Sequence, residues 1–177
     1  HHVTGLDGDA ETLTRLIEDL VAKAGWRTDG PQYINAHGTG TAQNDVSELT
    51  AIRSALGSAA DELVVSSNKA ILGHTINAAG SLELALTAMS LRDGFAPPTM
   101  HLEHPEAIGR INCLPSYGAE LDMQRALKLS LAFGGHLLGV ALRRCPLESH
   151  QRPRQPLASD ARIRQPAWGA QRQRQVA

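Results

Sequence analysis

The chain has 177 residues, is 42% hydrophobic and 20% charged, and carries a formal net charge of -1. That length suffices for one domain with its own core, and the near-neutral balance argues against general electrostatic attraction to nucleic acid. No apolar run is long enough to span a bilayer and no secretory leader opens the chain, while Cys113 and Cys145 sit in no metal-ligand or redox spacing, which reads as a reducing, cytoplasmic setting.

With aromatic residues at only 3%, the core must come from Leu, Ile, Val and Ala. The opening His1-His2 without a methionine is expected to lie inside a longer protein. From Glu11 to Ala24, Leu13, Leu16, Ile17, Leu20, Val21 and Ala24 recur at three- and four-residue steps, which predicts an amphipathic helix ending at Gly25. Turn chemistry at Thr28-Asp29-Gly30-Pro31 leads into a strand at Tyr33. A second helix is expected from Asp45, as cap, to Leu56, with Val46, Leu49, Ile52 and Leu56 buried and Asp45 and Glu48 spaced as a capping box. Leu63 to Ser66 reads as a short buried strand, and Ala78 to Arg92 as a third, well-buried helix with Leu82, Ala85, Leu86 and Met89 along one side. Gly94 and Pro97-Pro98 then begin a long irregular connection. Ala126 to Ala132 and His136 to Leu142, separated by Phe133-Gly134-Gly135, read as an antiparallel hairpin.

Beyond Cys145 the composition turns to Gln, Arg and Pro, so 145–177 is expected to be a disordered tail and 1–144 the folded domain. The order of elements is that of an α/β fold, a mixed sheet flanked by helices whose early strands run parallel through right-handed crossovers. Such sheets place ligands beyond the carboxyl ends of their strands. Two histidines fall there. His37 follows the Tyr33 strand in YINAHGTGT, whose glycines permit a tight turn and whose Thr39 and Thr41 offer hydroxyls, and His74 closes Ser67-Asn68-Lys69-Ala70-Ile71-Leu72-Gly73-His74.

YINAHGTGT, Asn44-Asp45-x-x-Glu48, Ser67-x-Lys69-x-x-x-Gly73-His74 with Ala78-Ala79-Gly80, and Phe133-Gly134-Gly135 together resemble, in order and spacing, the β-ketoacyl-(acyl carrier protein) synthases. These are the thiolase-fold condensing enzymes of fatty-acid and polyketide assembly. The resemblance covers about residues 1 to 144 and is to the C-terminal half alone. It implies a nucleophilic cysteine and a first, central strand of the sheet upstream of His1, and it gives neither Cys113 nor Cys145 the nucleophile's role. Two positions depart from the pattern: Asn77 stands where Gly is usual, and His136-Leu137 where Thr or Asn usually follows Phe-Gly-Gly.

The resemblance implies an acyltransferase. His37 and His74 would stabilise the enolate formed when a malonyl thioester loses carbon dioxide, as donors aimed at charge that grows in the transition state. Lys69 would pair with Glu48 behind them. Thr39 and Thr41 would bind the phosphopantetheine arm, no cofactor being held tightly. Phe133, with Gly134 and Gly135 giving clearance, would gate the site and lend a backbone N–H to the oxyanion hole. The implied partners are acyl carrier protein and a second subunit, in a homodimer or heterodimer, with neither nucleic acid nor membrane. A competing reading is a non-catalytic truncated synthase that binds carrier protein or pairs with a complete subunit. A metal hydrolase built on His37, His74 and Asp45 is disfavoured, because these residues form no tight ligand motif.

Overall fold

A computed structural model describes residues 10–26, 29–105, 108–115 and 117–145, so all but the first residue of the expected tail lies outside it. In chain order the elements are α1 (Glu11–Lys23), β1 (Tyr33–Asn35), α2 (Ala42–Leu56), β2 (Val64–Ser66), α3 (Lys69–Leu72), α4 (Ala79–Asp93), β3 (Phe95–Ala96), β4 (Asn112–Cys113), β5 (Ala119–Glu120), β6 (Arg125–Ala132) and β7 (His136–Arg143). Five strands form one sheet in the order β4-β2-β1-β6-β7, and β3 pairs with β5 apart from it.

The first three crossovers give parallel pairs, β1 with β2, β1 with β6 and β2 with β4. The expected hairpin closes the sheet: β6 and β7 are antiparallel in unbroken register from Arg125 opposite Arg143 to Ala132 opposite His136. The central place is taken by β1, bonded on both sides, so the resemblance's missing central strand leaves no gap here. The edge strand β4 lies in the stretch read as irregular, because two residues carry no periodicity to read.

Side chains alternate across the sheet, and each face has its own core. Ile34, Val65, Leu127, Leu129 and Leu131 point to the side covered by α1 and α2 and pack with Leu13, Ile17, Val21, Trp26, Leu49 and Ile52. Tyr33, Val64 and Ala126 point to the other side and pack with Leu91, Ala96, Leu114 and Met123. The apolar stripe of α1 buries as its spacing predicts.

Two helices depart from expectation. Helix α2 starts at Ala42 after an extended Thr41, so Asp45 falls inside its first turn instead of capping it. Glu48 is therefore no capping-box partner; it is buried and turned toward the sheet end, while Val46 is exposed. Helix α4 is inverted relative to its hydrophobic pattern. Glu83, Thr87 and Ser90 face inward with Ala79 and Leu91, and Leu82 and Met89 are 45% and 46% exposed. The polar stripe at i, i+4, i+7 covers charges under the sheet end, so the apolar stripe is left outside. Among the described residues no helix is long and apolar enough to cross a membrane.

Candidate active site

Three parallel strands run toward the same end of the sheet. Past β1 the chain enters Ala36-His37-Gly38; past β2 it enters Ser67-Asn68 and α3; and β6 runs beyond the β1 pairing to Phe133. The turn after β1 is forced by close packing. Gly38 has φ +45, a Cβ there would lie 2.5 Å from the Cβ of Ser67, and the Ser67 hydroxyl donates to the Gly38 carbonyl at 2.8 Å. Only glycine fits both the dihedral and the space.

His37 is held through its backbone. Its N–H donates to Glu48 Oε1 at 2.7 Å, and the next N–H, of Gly38, donates to Oε2 at 2.9 Å. Its carbonyl accepts from Lys69 Nζ at 2.6 Å. The carboxylate thus clamps two successive peptide donors, which is why Glu48 tolerates full burial. Burial pushes its pKa up, and the two backbone donors pull it back down. Burial lowers the His37 pKa to about 3, with Lys69, Lys128 and His74 adding to the effect in that order. At neutral pH its ring is therefore neutral.

His74 sits across from it, with ring centroids 5.6 Å apart and the planes at 84°, an edge-to-face pair. The N–H of Ile76 donates to His74 Nδ1 at 3.1 Å. A neutral His74 therefore keeps its proton on Nε2, free to donate into the site. Ile76 makes this bond from φ +50, a region that β-branched residues rarely enter. His74 is exposed, as are its neighbours Ile71, Leu72 and Ile76.

A cavity of about 570 Å3 opens at this sheet end. Of the predicted site residues, Thr39, Thr41, Asp45, Glu48, Lys69 and His74 line it, and His37 does not. The hydroxyls of Thr39 and Thr41 lie 2.9 Å apart. Phe133, Gly134 and Gly135 do not line it; they form a turn at the end of β6, with Phe133 71% exposed and both glycines at φ near +78. Cys113 is on the cavity wall, but burial, with Asp45 nearby, raises its thiol pKa to about 11. A thiol held that high is a poor nucleophile at neutral pH. Among the described residues no three His, Cys, Asp or Glu side chains converge to hold a metal ion.

The ion pair is where the structure corrects the sequence. Lys69 does not pair with Glu48. Its ammonium lies 2.7 Å from Glu83 Oε1, on α4, and Lys128 from β6 meets Glu83 Oε2 at 2.7 Å. Glu48 is already occupied by backbone donors, so the carboxylate that Lys69 reaches is the one on the facing helix. Both Glu83 and Lys128 escaped the motif reading. Their signals were a glutamate heading the inward polar stripe Glu83, Thr87, Ser90, and a lysine inside the apolar run Ala126 to Ala132.

Residues 1–103 match the family described as "Beta-ketoacyl synthase, C-terminal domain". The chain is 35% identical over 144 residues to 3-oxoacyl-[acyl-carrier-protein] synthase 2 of Synechocystis sp., covering 81% of this chain and 35% of that protein. With the Staphylococcus aureus (strain COL) enzyme of the same name it shares 35% over 136 residues, covering 77% and 33%. The chain thus spans about a third of the length of these curated relatives. Among solved structures it is similar to a type II polyketide ketosynthase in complex with its acyl-carrier protein and bound to the hexaketide (TM-score 0.77, 29% identity, 82% of this chain and 36% of that one). It is also similar to the ishigamide ketosynthase/chain length factor (TM-score 0.74, 26% identity, 82% and 35%). The thiolase-like sheet, the order of the motifs and these matches agree, and the chain belongs to the β-ketoacyl synthase C-terminal domain family.

Proposed function

We propose that this chain is the imidazole-bearing half of a 3-oxoacyl-(acyl carrier protein) synthase, an acyltransferase that joins malonyl and acyl thioesters in fatty-acid or polyketide synthesis. The observation that carries it is the His37–His74 pair: two imidazoles 5.6 Å apart, one neutral by burial and the other with Nε2 free to donate. When the malonyl carboxylate leaves as carbon dioxide, the electron pair of the broken C–C bond moves onto the thioester oxygen. Neutral N–H donors aimed at that oxygen stabilise the growing charge without spending a proton. The carbanion then attacks the carbonyl of an acyl group on a cysteine, so that the new C–C bond forms as the acyl C–S bond breaks and the cysteine thiolate leaves.

That cysteine belongs to the upstream half in this reading, since the Cys113 thiol is held near 11. The exposed apolar stripe of α4 and the exposed Ile71, Leu72, Ile76 and Phe133 support a second half packing over the site. The backbone N–H of Phe133 would complete the oxyanion hole there, beside that of the cysteine, with Gly134 and Gly135 giving it room. Thr39 and Thr41 would take the phosphopantetheine arm of an acyl carrier protein, the kind of partner seen on the related ketosynthase. A dimer in a reducing, cytoplasmic compartment completes the proposal.

The test uses a full-length synthase that contains this half. His74→Ala is expected to abolish malonyl decarboxylation and condensation while the upstream cysteine still acylates. Equal loss of acylation and condensation would make His74 structural. The 177-residue chain alone should form no acyl-enzyme, and stable labelling at a single site by acyl carrier protein would contradict the assignment of the nucleophile. Condensation surviving His74→Ala would remove this imidazole from the chemistry and overturn the reading.

A further inference from the structure

The chain has three lysines, Lys23, Lys69 and Lys128, and two of them are buried on one carboxylate. Lys128 is the more unexpected. It stands in the middle of β6, directly opposite Asn35 of β1, and only 2% of it is exposed. An ammonium in such a place needs compensation to be tolerated at all. It finds three oxygens: Glu83 Oε2 at 2.7 Å, an ion contact off the hydrogen-bond axis, the carbonyl of Ala36 at 3.4 Å, and the carbonyl of Leu129. Burial lowers its pKa from the ordinary lysine range, and Glu83 raises it again.

These contacts complete a pattern around His37. The carbonyls of Ala36 and His37, one after the other, each accept from a different ammonium, and both ammoniums rest on Glu83. The N–H groups of His37 and Gly38, one after the other, both donate to Glu48. Two carboxylates and two ammoniums thus grip the peptide units that carry the imidazole. Their formal charges cancel. Without Lys128, Glu48 and Glu83 would face Lys69 alone, and the buried group would hold a net negative charge beside His37.

We propose that Lys128 is a positioning residue of the site: its ammonium, fixed on β6, balances the buried carboxylates and seats the Ala36–His37 segment so that the His37 imidazole stays neutral and in place. Other ionisable groups around this one are Asp45 on α2, Tyr33 on β1 and His74 after α3. Lys128 touches no reactant in this scheme. It bears on catalysis only if His37 meets the enolate, which is the function proposed above.

The experiment follows the ring carbons of His37 by NMR through a pH titration of the 177-residue chain and of Lys128→Met. In the wild type His37 should stay neutral to below about pH 4. In Lys128→Met, with the amide spectrum otherwise retained, its midpoint should rise by at least one pH unit. An unchanged midpoint in a folded Lys128→Met overturns the proposal. If Lys128→Met does not fold, the wild type still decides, by reductive methylation with formaldehyde at neutral pH. Lys23 should be modified first and Lys128 at least tenfold more slowly, whereas equal rates refute a buried, engaged ammonium. Neither readout needs turnover, so failure of the condensation reading leaves both intact.

Discussion

The depressed pKa of His37 makes a stability prediction that can be worked through. An unfolded histidine takes a proton near pH 6.5, whereas the folded ring resists it down to about 3. As pH falls below 6.5 the unfolded chain gains a proton that the folded chain refuses, so stability present above 6.5 is lost on acidification. The slope is about 1.4 kcal/mol per pH unit, so between pH 6.5 and 4 the loss approaches about 3.4 kcal/mol. The ring meets the exposed His74 along one side, which admits some solvent screening and trims the expectation to about 2–3 kcal/mol. Glu48 acts in the opposite sense, since a carboxyl whose folded pKa is raised gains stability on acidification. Comparison with His37→Gln therefore isolates the histidine. Urea unfolding of both chains from pH 7.5 to 4 should show the wild type losing about 2–3 kcal/mol more than the variant, starting near pH 6.5. Parallel curves would mean that the folded ring takes up its proton as readily as the unfolded one, and the depressed His37 pKa would fall with them.

Gly38→Ala sets a side chain at φ +45 and 2.5 Å from the Ser67 Cβ, so a loss of about 2–4 kcal/mol and a clearly lower Tm are expected, from dihedral cost and overpacking together. A melting curve unchanged within error would show that the turn after β1 yields easily. Cys113, with its thiol near pKa 11, should react with iodoacetamide at pH 8 on the order of a hundredfold more slowly than an ordinary thiol. Peptide mass mapping over time reads this directly, and rapid alkylation of Cys113 would reopen it as a nucleophile.

Motif and periodicity did unequal work in the sequence. Where a segment was long and one face met a core, the pattern sufficed. The stripe Leu13, Ile17, Val21 placed α1, and the paired runs around Phe133-Gly134-Gly135 placed the β6–β7 hairpin, whose register the structure supplies. The histidines were legible because His37 stands between a short strand and Gly38 while His74 follows Gly73, local features that need no tertiary knowledge. Strand β4 was not legible, because its place beside β2 is decided by hydrogen bonds to a distant segment. Nor was the partner of Lys69. The resemblance offered Glu48 alone, and only the fold shows that Glu48 spends both oxygens on backbone N–H groups while Glu83 arrives from the opposite helix.

Helix α4 shows why the hydrophobic pattern misled. Helix burial is normally read from apolar spacing, yet here the sheet face beneath α4 near its start holds Asn35, Lys128 and Ser66, all buried and polar. A helix laid over such a floor must answer charge with charge, and Glu83 does so with both oxygens. Thr87 closes its own hydroxyl onto the carbonyl of Glu83 at 2.7 Å, which removes a further polar group from the interior balance. Leucine in those positions would leave two ammoniums without a counter-charge, a larger penalty than exposing Leu82 and Met89. The inversion of α4 and the seating of the His37 backbone therefore have one cause. The charges that hold the imidazole's peptide in place require a polar helix face, and the apolar face is left pointing away from this sheet.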